Sequence, residues 1–249
     1  VTKEPHKLRF NHEVSVDVFE IKDAGGARHS VLSIVDLASR FQVACRVASG
    51  GVPTSQACAE AYNQSWLSWA GAPKILVADQ GVHNKGKFAA LVTSHGTTIK
   101  QVGLAAPHQL GIGERQGGLL KRMMIRAIHS HQLIGGTAIA ALCSECAKVK
   151  NNLLNNGGYT PSQWVMGHTP EDVSSMMDHD PEENLEVHQK LVDAEEEPPQ
   201  EQFMMQLLLR QAAKEAYVYA DSSQRLRKAM LRKSVPLRGP YVVGNMVSF

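Results

Sequence analysis

Three carboxylates stand where a chain could use them for chemistry. Asp17 interrupts the β-branched alternation "SVDVFEI", and Asp79 closes the short apolar run "KILVAD". Glu114 lies among glycines in "PHQLGIGERQGGLLKRM", with Arg115, Lys121 and Arg122 close behind. A buried carboxylate is costly unless a cation or hydrogen bonds compensate it, so Asp17 needs a partner: Arg40, Lys74 or a metal ion. Asp79 sits at the carboxyl end of a strand, where α/β sheets expose functional groups, and Gly81 permits an open turn after it. Its plain alternative is an Asx turn or a cap for the next helix. Three acids drawn from two strands and a helix to one sheet edge can hold a pair of Mg²⁺ ions, hard cations that prefer oxygen ligands. Two such ions about 4 Å apart activate a water or hydroxyl and stabilise the leaving oxygen of an in-line phosphoryl displacement. Asp36 also follows an apolar strand and is the rival first acid; its alternative is a turn before Ala38 and Ser39.

The elements that must position these acids follow from periodicity. Val14, Val16 and Val18 alternate with Ser15, Asp17 and Phe19, which is strand spacing. "DAGGAR" reads as a turn, and "HSVLSIVDL" and "FQVACRVA" follow as two more strands, giving an antiparallel meander. "TSQACAEAYNQSWLSWAG" reads as a helix with Thr54 or Ser55 as N-cap and Gly71 at its end. "KILVAD" is then a strand, "KGKFAALVTSHG" a helix and "TTIKQVG" a strand. The order βββαβαβ predicts an α/β domain with a mixed sheet of about five strands. Helices over "ERQGGLLKRMMIRAIHSHQ" and "TAIAALCSECAKVKNNLLNN" would cover it, so Glu114 is expected at a mobile helix start.

Charge divides the chain into blocks. Residues 1–170 hold 17 Lys and Arg against 10 Asp and Glu, a formal +7, and 202–249 hold 8 bases against 2 acids, a formal +6. Between them, 171–201 hold 12 acids against Lys190, a formal −11, so the net +2 conceals basic segments around an acidic one. Such blocks suggest a polyanion-binding body and tail, or only solvated faces. The acidic stretch has little periodicity and reads as a disordered linker. Residues 202–238 read as a basic helical segment. No apolar run is long enough to span a membrane, and "VTKEPHKLRF" lacks the apolar centre of a secretory signal, so a soluble, intracellular protein is expected. The four cysteines do not form a disulfide framework. A zinc site from His129, His131, Cys143 and Cys146 is disfavoured, because side chains two apart on a helix diverge. Packing positions on two helices explain these residues better.

"SVDVFEI", "ILVADQGVHN" and "PHQLGIGERQGGLLKRM" together resemble the catalytic core of retroviral and long-terminal-repeat retrotransposon integrases. The family's last two acids are separated by about 35 residues, and 34 lie between Asp79 and Glu114 here. Its Pro-x-x-x-Gly-x-x-Glu-Arg pattern is met by Pro107, Gly111, Glu114 and Arg115. "IVDLASRF" resembles the family's second strand, and "YTPSQWVMGHTP" the segment that closes the core. The resemblance implies an RNase H-like fold with a helical C-terminal extension, and Asp17, Asp79 and Glu114 as catalytic metal ligands for two Mg²⁺ or Mn²⁺ ions. Arg115, Lys121 and Arg122 would contact DNA. The implied reaction is nicking near the ends of element DNA by water, then attack of the freed 3′-hydroxyl on target DNA. It further implies double-stranded DNA as partner, a homo-multimer, no membrane, and the nucleus as the site of action. The implied organisation is a linker remnant over 1–10, a catalytic core over 11–170, the acidic linker over 171–201, the helical segment over 202–238, and over 239–249 the first strand of a truncated SH3-like barrel.

Two positions depart from the family pattern. Asn84 stands where an aromatic residue usually follows the second acid, and Gly117 where asparagine is common. Gly117 and Gly118 would each weaken a helix by on the order of 1 kcal/mol relative to alanine. These departures motivate the alternatives: a decayed or domesticated scaffold that binds DNA without catalysis, or a plain RNase H-like nuclease.

Overall fold

The computed structural model describes residues 9–79, 81, 85–101, 107–170 and 199–231. Five strands form one mixed sheet in the order β3-β2-β1-β4-β5. They are β1 (Glu13–Lys22), β2 (Arg28–Asp36), β3 (Gln42–Ser49), β4 (Ile75–Ala78) and β5 (Thr98–Gln101). β1, β2 and β3 make the expected antiparallel meander, while β4 joins β1 and β5 joins β4 in parallel. Turn chemistry sets the meander's register. Asp23 accepts from the Ala27 amide at 2.9 Å in the first turn, and Gly26 takes a positive φ that suits glycine.

One face of the sheet carries Val14, Val16, Leu32, Ile34, Leu76 and Ala78, all buried. It is covered by α1 (Ser55–Tyr62), a π-helical turn over Asn63–Leu67, α2 (Ser68–Ala70) and α3 (Gly86–Ser94). Thr54 caps α1 by accepting from the Ala57 amide at 3.1 Å. The single helix expected from Thr54 to Gly71 is thus interrupted by a widened turn. Trp66 in that turn is fully buried and donates its indole N–H to Asn11 at 3.1 Å.

The opposite face is covered by α4 (Pro107–His131) and α5 (Gly136–Leu153), and after the short α6 (Pro161–Met166) a long α7 (Pro199–Leu231) packs on those two helices. Helix α4 begins seven residues before the expected start, so Glu114 lies inside the helix and not at its mobile entrance. Proline is well placed at a helix's first position, where its missing N–H costs nothing. The expected C-terminal helix is present and packs on the core through Leu209, Ala212, Ala213, Ala216, Tyr217 and Ala220. Their spacing of three and four residues is that of one helical stripe. Buried Glu145 ties α7 to α5, accepting from Arg210 at 3.0 Å and Lys148 at 2.8 Å. Cys143 and Cys146 are core residues of α5.

Among the described residues no helix is long and apolar enough to cross a membrane. Residues 1–8, most of the acidic stretch (171–198) and the strand expected over 239–249 lie outside the described residues.

Candidate functional site

β1 and β4 run side by side in parallel, and their register pairs Val16 with Ala78. The next residue along each backbone is an aspartate, Asp17 within β1 and Asp79 just past the end of β4, so the register places the two residues side by side at that end of the sheet. Both are half-buried. Asp17 shares its sheet face with Ser15 and Phe19, and its Oδ1 accepts from the Val18 amide at 2.8 Å. Asp79 Oδ1 accepts from the Gly81 amide at 3.0 Å, an Asx turn that fixes the carboxylate where β4 ends. The turn reading and the functional reading of Asp79 therefore coexist.

Helix α4 lies along β1 at very close range. A Cβ at Gly113 would collide with the Ser15 hydroxyl and stand 2.9 Å from its Cβ, and one at Gly117 would stand 3.9 Å from Asp17 Oδ2. One turn further, Lys121 Nζ lies 5.9 Å from the centroid of the Phe19 ring. Residues 113, 117 and 121 thus track residues 15, 17 and 19, because four helical residues rise about 6 Å and two strand residues about 6.6 Å. The glycines that weaken α4 locally are what let it approach the strand that carries Asp17. Glu114 precedes Gly117 by one turn and is exposed, as are Arg115 and Arg122; Lys121 is half-buried.

The rival acid is consumed by structure. Asp36 is fully buried; Oδ1 accepts from the Asn11 amide at 3.0 Å, and Oδ2 from the Ser39 amide and hydroxyl at 2.6 Å each. These three accepted bonds build the turn between β2 and β3 and commit the buried carboxylate to it. Beside that turn, buried Lys150 donates to the Arg40 carbonyl at 3.1 Å. Burial, reinforced by the Arg40 charge, pushes its ammonium down to about 7. Neither Lys150 nor the paired amide bonds of Asn151 with the Gln42 backbone (2.9 and 2.8 Å) carried a sequence signal, since both lie in an ordinary amphipathic helix. The Gly113-x-x-x-Gly117 spacing did carry one: two small residues on one helix face permit close approach.

The oxygen donors of Asp17 and Asp79 suit a hard divalent cation. Among the described residues, however, no three His, Cys, Asp or Glu side chains stand close enough to hold one ion. The structure brings Asp17 and Asp79 together and lays α4 against them, without gathering Glu114 onto the pair.

No protein-family model and no curated protein matches the sequence. Solved structures do. A chain of the simian T-cell lymphotropic virus intasome in complex with PP2A regulatory subunit B56 gamma is 18% identical, with 68% of this chain and 60% of that chain covered and a TM-score of 0.54. The HTLV-2 integrase catalytic core domain in complex with magnesium, in dimeric form, is 19% identical over 64% of this chain and 97% of that one, with a TM-score of 0.49. The BIV integrase catalytic core domain is 17% identical over 68% and 99%, with a TM-score of 0.47. The chain therefore spans about 60% of the intasome chain that it matches. The sheet order and the first of these likenesses show the fold: it is the RNase H-like fold, shared with that intasome chain, and it carries a long C-terminal helix.

Proposed function

We propose that this chain is an integrase-type polynucleotidyl transferase that nicks element DNA near its 3′ ends and joins those ends to target DNA. The observation that carries the reading is the parallel register that sets Asp17 beside Asp79, with the helix of Glu114 lying along the same strand. Asp17 and Asp79 would supply the shared oxygen ligands. Glu114, exposed and with three rotatable side-chain bonds, would supply the third carboxylate once DNA is seated. Two Mg²⁺ or Mn²⁺ ions held by these acids would acidify the attacking water or hydroxyl and stabilise the leaving oxygen.

In the first step water adds to a phosphodiester and a DNA 3′-hydroxyl leaves. In the second, that hydroxyl forms a new P–O bond in the target as the target's own 3′-oxygen departs. Arg115, Lys121 and Arg122 would neutralise the strands' phosphates, a salt-sensitive and largely sequence-independent contribution. Joining two DNA ends requires two active sites, so the working species is a homo-multimer, acting in the nucleus.

A second reading has one observation in its favour: the three carboxylates are not gathered around one ion position. On that reading the chain is a DNA-binding scaffold that keeps the fold without the chemistry. An oligonucleotide nicking and strand-transfer assay with Mg²⁺ or Mn²⁺ decides between them. The enzyme reading expects metal-dependent joined products that disappear in Glu114→Gln with the circular dichroism spectrum unchanged. No product from the wild-type chain, or equal product from the variant, supports the scaffold. Cleavage confined to an RNA–DNA hybrid would instead indicate a nuclease.

A further inference from the structure

Helices α4 and α7 enclose a groove of about 490 Å³, which shares only Arg122 with the site proposed above. Arg122, Ile125, Arg126 and His129 line it from α4, and Tyr219 and Arg227 from α7. Among the described residues that line it there is no carboxylate. The neighbouring acids of α7 are engaged elsewhere: Asp221 holds Arg225 at 2.7 Å, and Glu215 faces His131 at 4.0 Å. Three guanidinium groups therefore share one concave surface with no counter-charge inside it, an arrangement that repels itself until an anion enters.

Arg126 is also held in place, its guanidinium carbon 3.6 Å from the centroid of the half-exposed Tyr219 ring. Stacking fixes the plane of the fork while its N–H groups remain available to phosphate oxygens. The groove is continuous with Glu114 along one exposed edge of α4. From residue 114 to residue 126 the helix rises about 18 Å, which is about five base pairs of duplex DNA.

We infer that the α4–α7 groove is a second DNA-backbone site, gripping phosphates of the same duplex about five base pairs from the phosphodiester held at Asp17, Asp79 and Glu114. The inference rests on the proposed integrase reading for its distance, but its test is one of binding and is independent of catalysis. It places α7 in the DNA interface as well as in the core.

The experiment measures duplex DNA binding by fluorescence anisotropy across a salt series, for the wild-type chain and for Arg126→Gln/Arg227→Gln. A 20-base-pair duplex should bind about 10-fold more weakly to the double variant near 0.1 M salt, and the slope of log K against log salt should become shallower by about two. Arg126→Lys/Arg227→Lys should recover most of that slope, which a folding defect would not allow. Duplexes too short to span from the carboxylates to the groove cannot occupy both at once, so the double variant's loss on them should be smaller. An unchanged affinity and slope, or an equal loss on the short duplexes, would overturn the proposal. If the groove variants lose binding while the wild-type chain joins no DNA, the groove stands and the catalytic reading fails.

Discussion

The two faces of the sheet solve different problems with the same strands. On the face under α1 and α3, β1 contributes Val14 and Val16 to a hydrophobic cluster that closes around Tyr62, Trp66 and Phe88. On the face under α4, the alternate residues of that same strand are Ser15 and Asp17, and β2 and β3 add Ser33 and Gln42. There the cover approaches through Gly113 and Gly117, and among the described residues the side-chain oxygens of Gln42 and Gln116 are buried with no hydrogen-bond partner, as is the Tyr62 hydroxyl on the first face. At that end the second face holds polar groups that a minimal core would exclude. Further along the second face the polar character gives way to Ile21, Val31 and Ala44, so the distinction is confined to the end where the carboxylates stand.

The widest separation between the faces should come from Trp66→Ala. Removing a fully buried indole is expected to cost about 3–5 kcal/mol by denaturant unfolding. DNA joining per folded molecule should be unaltered, because the apolar face touches no substrate.

On the opposite face, Lys150 should make stability depend on pH. Its ammonium is pushed from 10.5 down to about 7 on folding, chiefly by burial. Below about 7 both states carry the proton and the cost of the buried charge is present in full. Between about 7 and 10.5 the unfolded chain binds more protons than the folded one, so stability rises with pH through that window. Lys150→Met should remove this rise and stabilise the protein below pH 7, as read from unfolding curves taken across the range.

A smaller effect should sharpen the role of the close approach. Gly113→Ala places a methyl against Ser15 and should cost about 1–3 kcal/mol. Ser15→Gly should recover part of that loss in the double variant, as a thermodynamic cycle would show. The smallest stability effect belongs to the functional acids. Asp17→Asn keeps an oxygen for the Val18 amide and should change stability by less than about 1 kcal/mol, while strand joining is lost.

Much of this contrast was legible in the chain itself. Strict alternation in β1 assigned Val14 and Val16 to one face and Asp17 to the other, and the "VDLASR" context marked Asp36 as a turn-former. The start of α4 was misplaced because Gly111 and Gly113 are poor helix formers; packing of Gly113 against Ser15 of β1 overrides that local preference. The π-helical turn around Trp66 left no trace in sequence, since the segment's periodicity is helical throughout. Nor could any local pattern disclose that the basic edge of α4 meets Tyr219 and Arg227 of α7, two elements far apart in sequence and brought together only by tertiary packing.

The most direct test of the central claim is Mn²⁺ binding in the presence of duplex DNA, followed by electron paramagnetic resonance of the free ion. Wild-type protein is expected to withdraw Mn²⁺ from solution, and Asp17→Asn/Asp79→Asn, folded and still binding DNA, to withdraw none beyond the DNA alone. Equal Mn²⁺ binding by the wild type and the double variant would contradict the assignment of these two neighbouring strand ends as a metal-dependent phosphoryl-transfer centre.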